Sequence, residues 1–131
     1  MITFRRATKE DLAMIDGWYL EMGMSKTNPA LIPPTTYVAK FNGQPVASAA
    51  LVLTNCTGVA LIENVVGHPG MPALRREALP ELFRYLKEMA KDWGAKYLFL
   101  SSFEDKVKTR YEEYGFKKKT DNLTLFFIET E

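Results

Sequence analysis

The stretch VALIENVVGHPGMPALRREALPELFRYLKEMAKDW, running from Val59 to Trp93, decides the fold. It opens on a run, Val59 to Val66, that is apolar except for Glu63 and Asn64 and reads as a strand. It closes on Leu79, Leu82, Phe83, Leu86, Met89, Ala90 and Trp93 at helical spacing, with Glu81, Arg84, Lys87, Glu88 and Lys91 facing outward. Gly94 is placed to end that helix in the left-handed region, and Tyr97 to Ser102 follows as a buried strand. A long helix between two strands predicts a parallel crossover, right-handed in nearly all cases. Pro80 lacks an N–H, and its ring crowds the carbonyl four residues back, so it belongs in the first turn of a helix. On that ground the helix runs from about Glu77 to Trp93, begins no earlier than about Arg76, and Gly67 to Arg75 is a loop.

Upstream, Ile2 to Ala7 alternates apolar and polar residues, the period of a half-buried strand. Thr8 and Asp11 resemble a capping box, and Leu12, Ile15, Tyr19 and Met22 share one face of a helix from about Lys9 to Met22. Gly23 to Pro34 carries three prolines' worth of interruption and no steady period, so it is a loop. Tyr37 to Phe41 and Val46 to Leu53 flank Asn42-Gly43, a strong hairpin signal. Downstream, Glu104 to Tyr114 reads as a short charged helix closed by Gly115, and Leu123 to Glu129 as a last strand.

Composition sets the outer limits. At 131 residues, with 47% hydrophobic and 25% charged, the chain is ordinary for one globular domain over 1–131. Lys plus Arg number 17 against 16 Asp plus Glu, without a basic half for a phosphate backbone to bind. Only Lys117, Lys118 and Lys119 cluster. The single Cys56 has no intrachain partner and no neighbours at metal-ligand spacing, which fits a reducing compartment. No stretch approaches the roughly 20 apolar residues of a membrane span, and Met1 to Arg6 lacks the apolar run of a signal peptide. A cytoplasmic protein without membrane or nucleic-acid partners is expected.

Few residues stand out chemically. Glu63 interrupts an apolar strand; either burial lifts its pKa toward the range of a general base, or it sits on a half-exposed face paired with a cross-strand Lys or Arg. Arg75 and Arg76 stand at a helix start, where unpaired N–H groups and the positive dipole end suit phosphate; the other reading pairs them with Glu77 and Glu81 on the surface. Tyr111 and Tyr114, near the end of the last helix, are either core aromatics or a phenol supplied to a cleft. His68, without a partner, is a loop residue or a phosphate neighbour.

These residues and the order of elements resemble the GNAT superfamily of acyl-CoA-dependent N-acetyltransferases over essentially the whole chain. The segments that carry the resemblance are Ile2 to Leu12, Val59 to Trp93, and Tyr111-Glu112-Glu113-Tyr114-Gly115-Phe116, which looks like the family's Tyr-x-x-x-Gly-Phe ending. The wording of Ala60 to Pro69 and Arg75 to Leu79 is most similar to small GNAT proteins encoded by phages and prophages. That origin would place the protein in the host cytoplasm.

The resemblance implies an α/β (α+β) fold: a central mixed, mostly antiparallel sheet of roughly six or seven strands flanked by three or four helices. It implies acetyl-CoA as co-substrate, an amine acceptor that is a small molecule or a protein, direct transfer without a metal, and a monomer or homodimer. Val65, Val66 and Gly67 would pair their backbone with pantetheine, while Arg75, Arg76 and Ala78 would stand at the pyrophosphate. Glu63 would act as general base, directly or through water, and Tyr111 would protonate the leaving thiolate.

The sequence departs from the family at the phosphate loop, Gln/Arg-x-x-Gly-x-Gly/Ala. Here it is degenerate, Ala73-Leu74-Arg75-Arg76-Glu77-Ala78, with Arg76 in place of the first glycine and only Ala78 matching. Glu104 and Val107 replace the usual Asn and Ala ahead of the tyrosine. Two functions stand beside each other: an acetyltransferase, and a catalytically inactive GNAT-like binding or virion-associated module. A nucleic-acid binder using Lys117 to Lys119 with Phe116 and Phe126 is opposed by the balanced charge.

Overall fold

Asn42 and Gly43 take positive φ, 48° and 84°, the backbone of a two-residue hairpin of type I′. That turn joins β2 (Thr36–Phe41) to β3 (Gln44–Leu53), with Phe41 opposite Gln44. The computed structural model describes residues 1–24, 32–56, 58–100, 110–117 and 128. Two compact units divide the chain, Met1–Leu100 and Ser101–Glu131.

In the first unit, β1 (Ile2–Arg6), β2, β3 and β4 (Val59–Gly67) pair antiparallel in sequence order, and β5 (Tyr97–Leu100) adds to β4 in parallel. The class is as expected, a mixed and mostly antiparallel sheet with helices. Five strands are described against the six or seven expected; the strand expected at Leu123 to Glu129 lies outside the described residues.

Successive strand residues face opposite sides of a sheet, and β2 shows what each side meets. Val38 packs with Ile15, Trp18 and Tyr19 of α1 (Lys9–Glu21) and with Val66 of β4. Its neighbour Tyr37 meets Tyr85 of α2 (Pro72–Trp93) edge-on, and Phe4 stacks on the same ring at 4.6 Å. The two helices therefore cover opposite faces. On α2, Ala78, Leu79, Leu82, Phe83, Leu86 and Ala90 are buried as the helical spacing requires, whereas Trp93, at the frayed end of the stripe, is 43% exposed. Gly94 ends the helix at φ 109°, and the N–H of Ala95 returns to the carbonyl of Ala90 at 2.9 Å.

The start of α2 corrects the sequence reading. The helix begins at Pro72, so the connection from β4 is short and Arg75, Arg76 and Ala78 lie within the first two turns rather than in or at the edge of a loop. Pro72 explains this: at the first helical position its missing N–H is an orphan anyway and its φ is preset. Pro80 then falls in the helix interior. It deprives the Arg76 carbonyl of its intrahelical donor, and the exposure of Arg76 lets water take that place.

The second unit is described at 110–117. Residues 110–113 are helical, Gly115 turns the chain at φ 100°, and the Phe116 N–H donates to the Tyr111 carbonyl at 3.1 Å.

Candidate acyl-CoA site

Strand β4 changes character halfway along. From Ala60 to Ile62 it is paired on both edges, with Leu53 to Leu51 of β3 on one side and with Leu98 to Leu100 on the other. From Glu63 onward it keeps β3 but has no β5 partner among the described residues. The ladder to β3 shifts at this point. Glu63 opposes Ala50 and Val66 opposes Ser48, so Asn64 and Val65 together face Ala49. Asn64 takes φ 55°, the left-handed conformation Asn tolerates better than most residues. This is a β-bulge, a device that bends a strand and re-aims its side chains.

The bulge is tied to α1. Tyr19 is buried, and its hydroxyl donates to the Asn64 carbonyl at 3.4 Å. Burial, with the charge of Asp16 added, pushes the Tyr19 phenol above its ordinary pKa, so it remains a donor. Tyr19 lies on the helix face that its spacing marks as buried, but neither its bond to Asn64 nor the bulge is readable from the sequence. An Asn inside an apolar strand was the available signal.

Glu63 stands at the start of the bulge, half-buried, with Ala50 rather than a cation as its neighbour on β3. No ion pair to it occurs among the described residues, which removes the surface-paired reading there. Burial alone raises its pKa. A carboxylate so placed is a better proton acceptor than one in water.

At the end of β4, Gly67 pairs with Ala47 and the His68 N–H donates to the Val46 carbonyl at 2.9 Å. Val65 is half-buried, while Val66 and Gly67 are buried. His68 packs its ring against Trp18 at 5.3 Å, and its Nδ1 accepts the N–H of Gly70 at 3.0 Å. The histidine thus pins the β4–α2 turn.

The first turn of α2 has no side-chain cap and no acidic residue. Pro72 has no N–H, and the Arg75 N–H is spent on the Met71 carbonyl at 3.0 Å, which leaves the donors of Ala73 and Leu74. Arg75 is half-buried and Arg76 exposed. Neither is ion-paired among the described residues; Glu81 pairs with Arg84 at 2.6 Å instead. Ala78 is fully buried against the sheet, so it packs the helix rather than lining an open loop. A strand edge, helix donors and two guanidiniums without partners among the described residues fit a ligand with an amide-bearing arm and a phosphate group.

Tyr111 lies in the second unit, half-buried, with its ring 6.2 Å from Phe116 edge-on and 6.5 Å from Tyr114. Glu104 and Val107 lie outside the described residues, as do Lys118 and Lys119. Among the described residues, no cluster of His, Cys, Asp and Glu could hold a metal, and no helix is long and apolar enough to cross a membrane. Cys56 is exposed and unbridged.

The architecture is the GNAT fold. A transcriptional regulator from Bacillus halodurans superposes with a TM-score of 0.72 at 19% identity, over 97% of this chain and 100% of its own. An acetyltransferase from Trypanosoma brucei gives 0.68 at 21% identity, over 97% and 100%. N-acetylglutamate synthase from Neisseria gonorrhoeae, solved with coenzyme A and N-acetyl-glutamate, gives 0.71 at 17% identity, over 94% of this chain and 30% of that one. No protein-family model matches the sequence, and no curated protein is similar to it in sequence.

Proposed function

We propose that the chain is an acyl-CoA-dependent N-acetyltransferase, one domain over 1–131, that moves acetyl from acetyl-CoA to an amine by direct attack. The observation that carries this reading is the bulge in β4 beside Glu63. There the strand bulges at Asn64, has no β5 partner among the described residues, and presents a partly desolvated Glu63. Structural neighbours that are acetyltransferases, one of them solved with coenzyme A, support it.

The backbone of Val65, Val66 and Gly67 offers the edge along which a pantetheine arm lies as an added strand. Arg75, Arg76 and the free donors of Ala73 and Leu74 hold the pyrophosphate, with Ala78 letting the helix seat closely on the sheet. Bound acetyl-CoA supplies the activated thioester. Glu63, directly or through a water, takes the proton from the amine as its nitrogen bonds to the carbonyl carbon. Tyr111 gives its phenolic proton to the sulfur as the carbon–sulfur bond breaks. A phage or prophage source and action in the cytoplasm fit the wording of the sequence.

The test is release of free thiol from acetyl-CoA against a panel of primary amines. Turnover is expected for some acceptor, with Glu63→Gln and Tyr111→Phe lowering kcat more than raising KM. Variants that instead weaken acetyl-CoA binding while sparing kcat would reject these roles. A second reading, a GNAT-fold binding module without catalysis, is favoured by the helical, glycine-free phosphate segment. It requires acetyl-CoA or partner binding with no turnover on any amine.

A further inference from the structure

Gly67 is glycine for space. Its φ is not positive, so its backbone makes no demand for glycine. A Cβ built there would stand 2.6 Å from Cδ of Arg75, 3.0 Å from its Cβ and 3.2 Å from its Cγ. Among the described residues only Gly67 and Gly70, of the eight glycines, have any neighbour so near, and at Gly70 it is the edge of the His68 ring, at 3.1 Å.

The contact has a direction. Val66 points toward α1, so the missing Cβ of Gly67 points to the opposite face, where α2 begins. The N–H and C=O of Gly67 lie in the plane of the sheet, so an arginine stem on its face leaves the strand edge open. A side chain whose stem is already packed loses less freedom when its head group binds. Arg76, the next residue, is exposed and lacks such a seat.

We propose that Gly67 is a positioning residue for Arg75: by lacking a Cβ it leaves the slot that seats the arginine stem, delivering the guanidinium to the end of β4 as the principal pyrophosphate contact. A seated arginine thereby does through its side chain what the absent loop glycines do through backbone. The proposal rests on the acyl-CoA reading and deepens it.

Calorimetry with acetyl-CoA on the full chain tests it, using wild type, Gly67→Ala, Arg75→Ala and the double variant. Each single change is expected to weaken binding by about tenfold, the size of one lost charge-assisted contact. The double variant is expected to be no weaker than Arg75→Ala, and the salt dependence of binding should shrink in all three. Gly67→Ala binding like wild type, or a double variant as weak as the product of the singles, overturns the proposal while leaving the acyl-CoA reading intact. Failure of folded wild type to bind acetyl-CoA overturns both. If Gly67→Ala does not fold, thermal midpoints decide. Removing Arg75 Cγ and Cδ in the double variant is expected to restore folding, and an equal loss of stability with or without Arg75 overturns the proposal.

Discussion

The chain begins its two long helices in opposite ways. At α1, Thr8 Oγ1 accepts the N–H of Asp11 at 3.2 Å, and the Asp11 carboxylate accepts the N–H of Thr8 at 2.8 Å. Both carboxylate oxygens also receive the Arg5 guanidinium, one of them at 2.7 Å. At α2, Met71 offers no side-chain cap, the first turn holds no acid, and two arginines follow. A helix start favours negative charge and disfavours positive charge, so α1 is completed from within the chain while α2 repels what the chain itself places there. The difference teaches where stability was built in and where it was withheld. On the acyl-CoA reading, the missing partner of α2 is the cofactor's pyrophosphate.

Breaking the closed end should have the largest effect. Asp11→Ala removes a cap and leaves Arg5 without its carboxylate, and is expected to lower stability by about 2–3 kcal/mol in urea unfolding. Burial raises the Asp11 pKa, but the hydrogen bonds from the Thr8 backbone, Arg5 and the Thr8 side chain, with the Arg5 charge, outweigh it and hold the carboxyl below its ordinary value. A lowered carboxylate pKa stabilises the fold above the unfolded value and loses that contribution as pH falls through the folded one. Acid unfolding of Asp11→Asn should therefore lack a step that wild type shows below the ordinary Asp range.

Closing the open end sharpens the contrast. Met71→Asp supplies α2 with the cap it lacks and should raise stability by about 0.5–1 kcal/mol. The same carboxylate should weaken acetyl-CoA binding, by calorimetry, because it competes for the donors and arginines that an anion would use. Unchanged binding would mean that the helix start takes no part.

The smallest expected effect on stability is at Glu63. The raised pKa of Glu63 means that its charged form is disfavoured in the fold, a cost present above the folded pKa and relieved as pH falls through it. Glu63→Gln should thus leave the thermal midpoint at neutral pH unchanged or slightly higher while turnover falls. A clear loss of stability would identify Glu63 as a structural acceptor.

The contrast also explains what was legible in the sequence. Local signals were reliable: the Thr8–Asp11 box, the Asn42-Gly43 hairpin and Gly94 each depend on neighbours within a few residues. The start of α2 is not legible locally because two prolines compete: the local cost of Pro80 argues for a late start, whereas Pro72 opens the helix and the packing of Ala78, Leu79 and Leu82 carries it through. The bulge at Asn64 and the seat of Arg75 on Gly67 depend on register and on helix placement, which residue spacing does not encode. Glu63 is legible as a break in an apolar run, whereas its having Ala50 and no cation opposite it on β3 follows only from the register.

Amide chemical shifts during a titration with acetyl-CoA test the central claim most directly, because they report on both helix starts and on the strand edge at once. Saturable shifts are expected at Val65, Val66, Gly67, Ala73 and Leu74, with none at Asp11 or Leu12 of α1. A folded protein whose spectrum is unmoved by millimolar acetyl-CoA, or whose shifts fall elsewhere than the end of β4 and the start of α2, would contradict it.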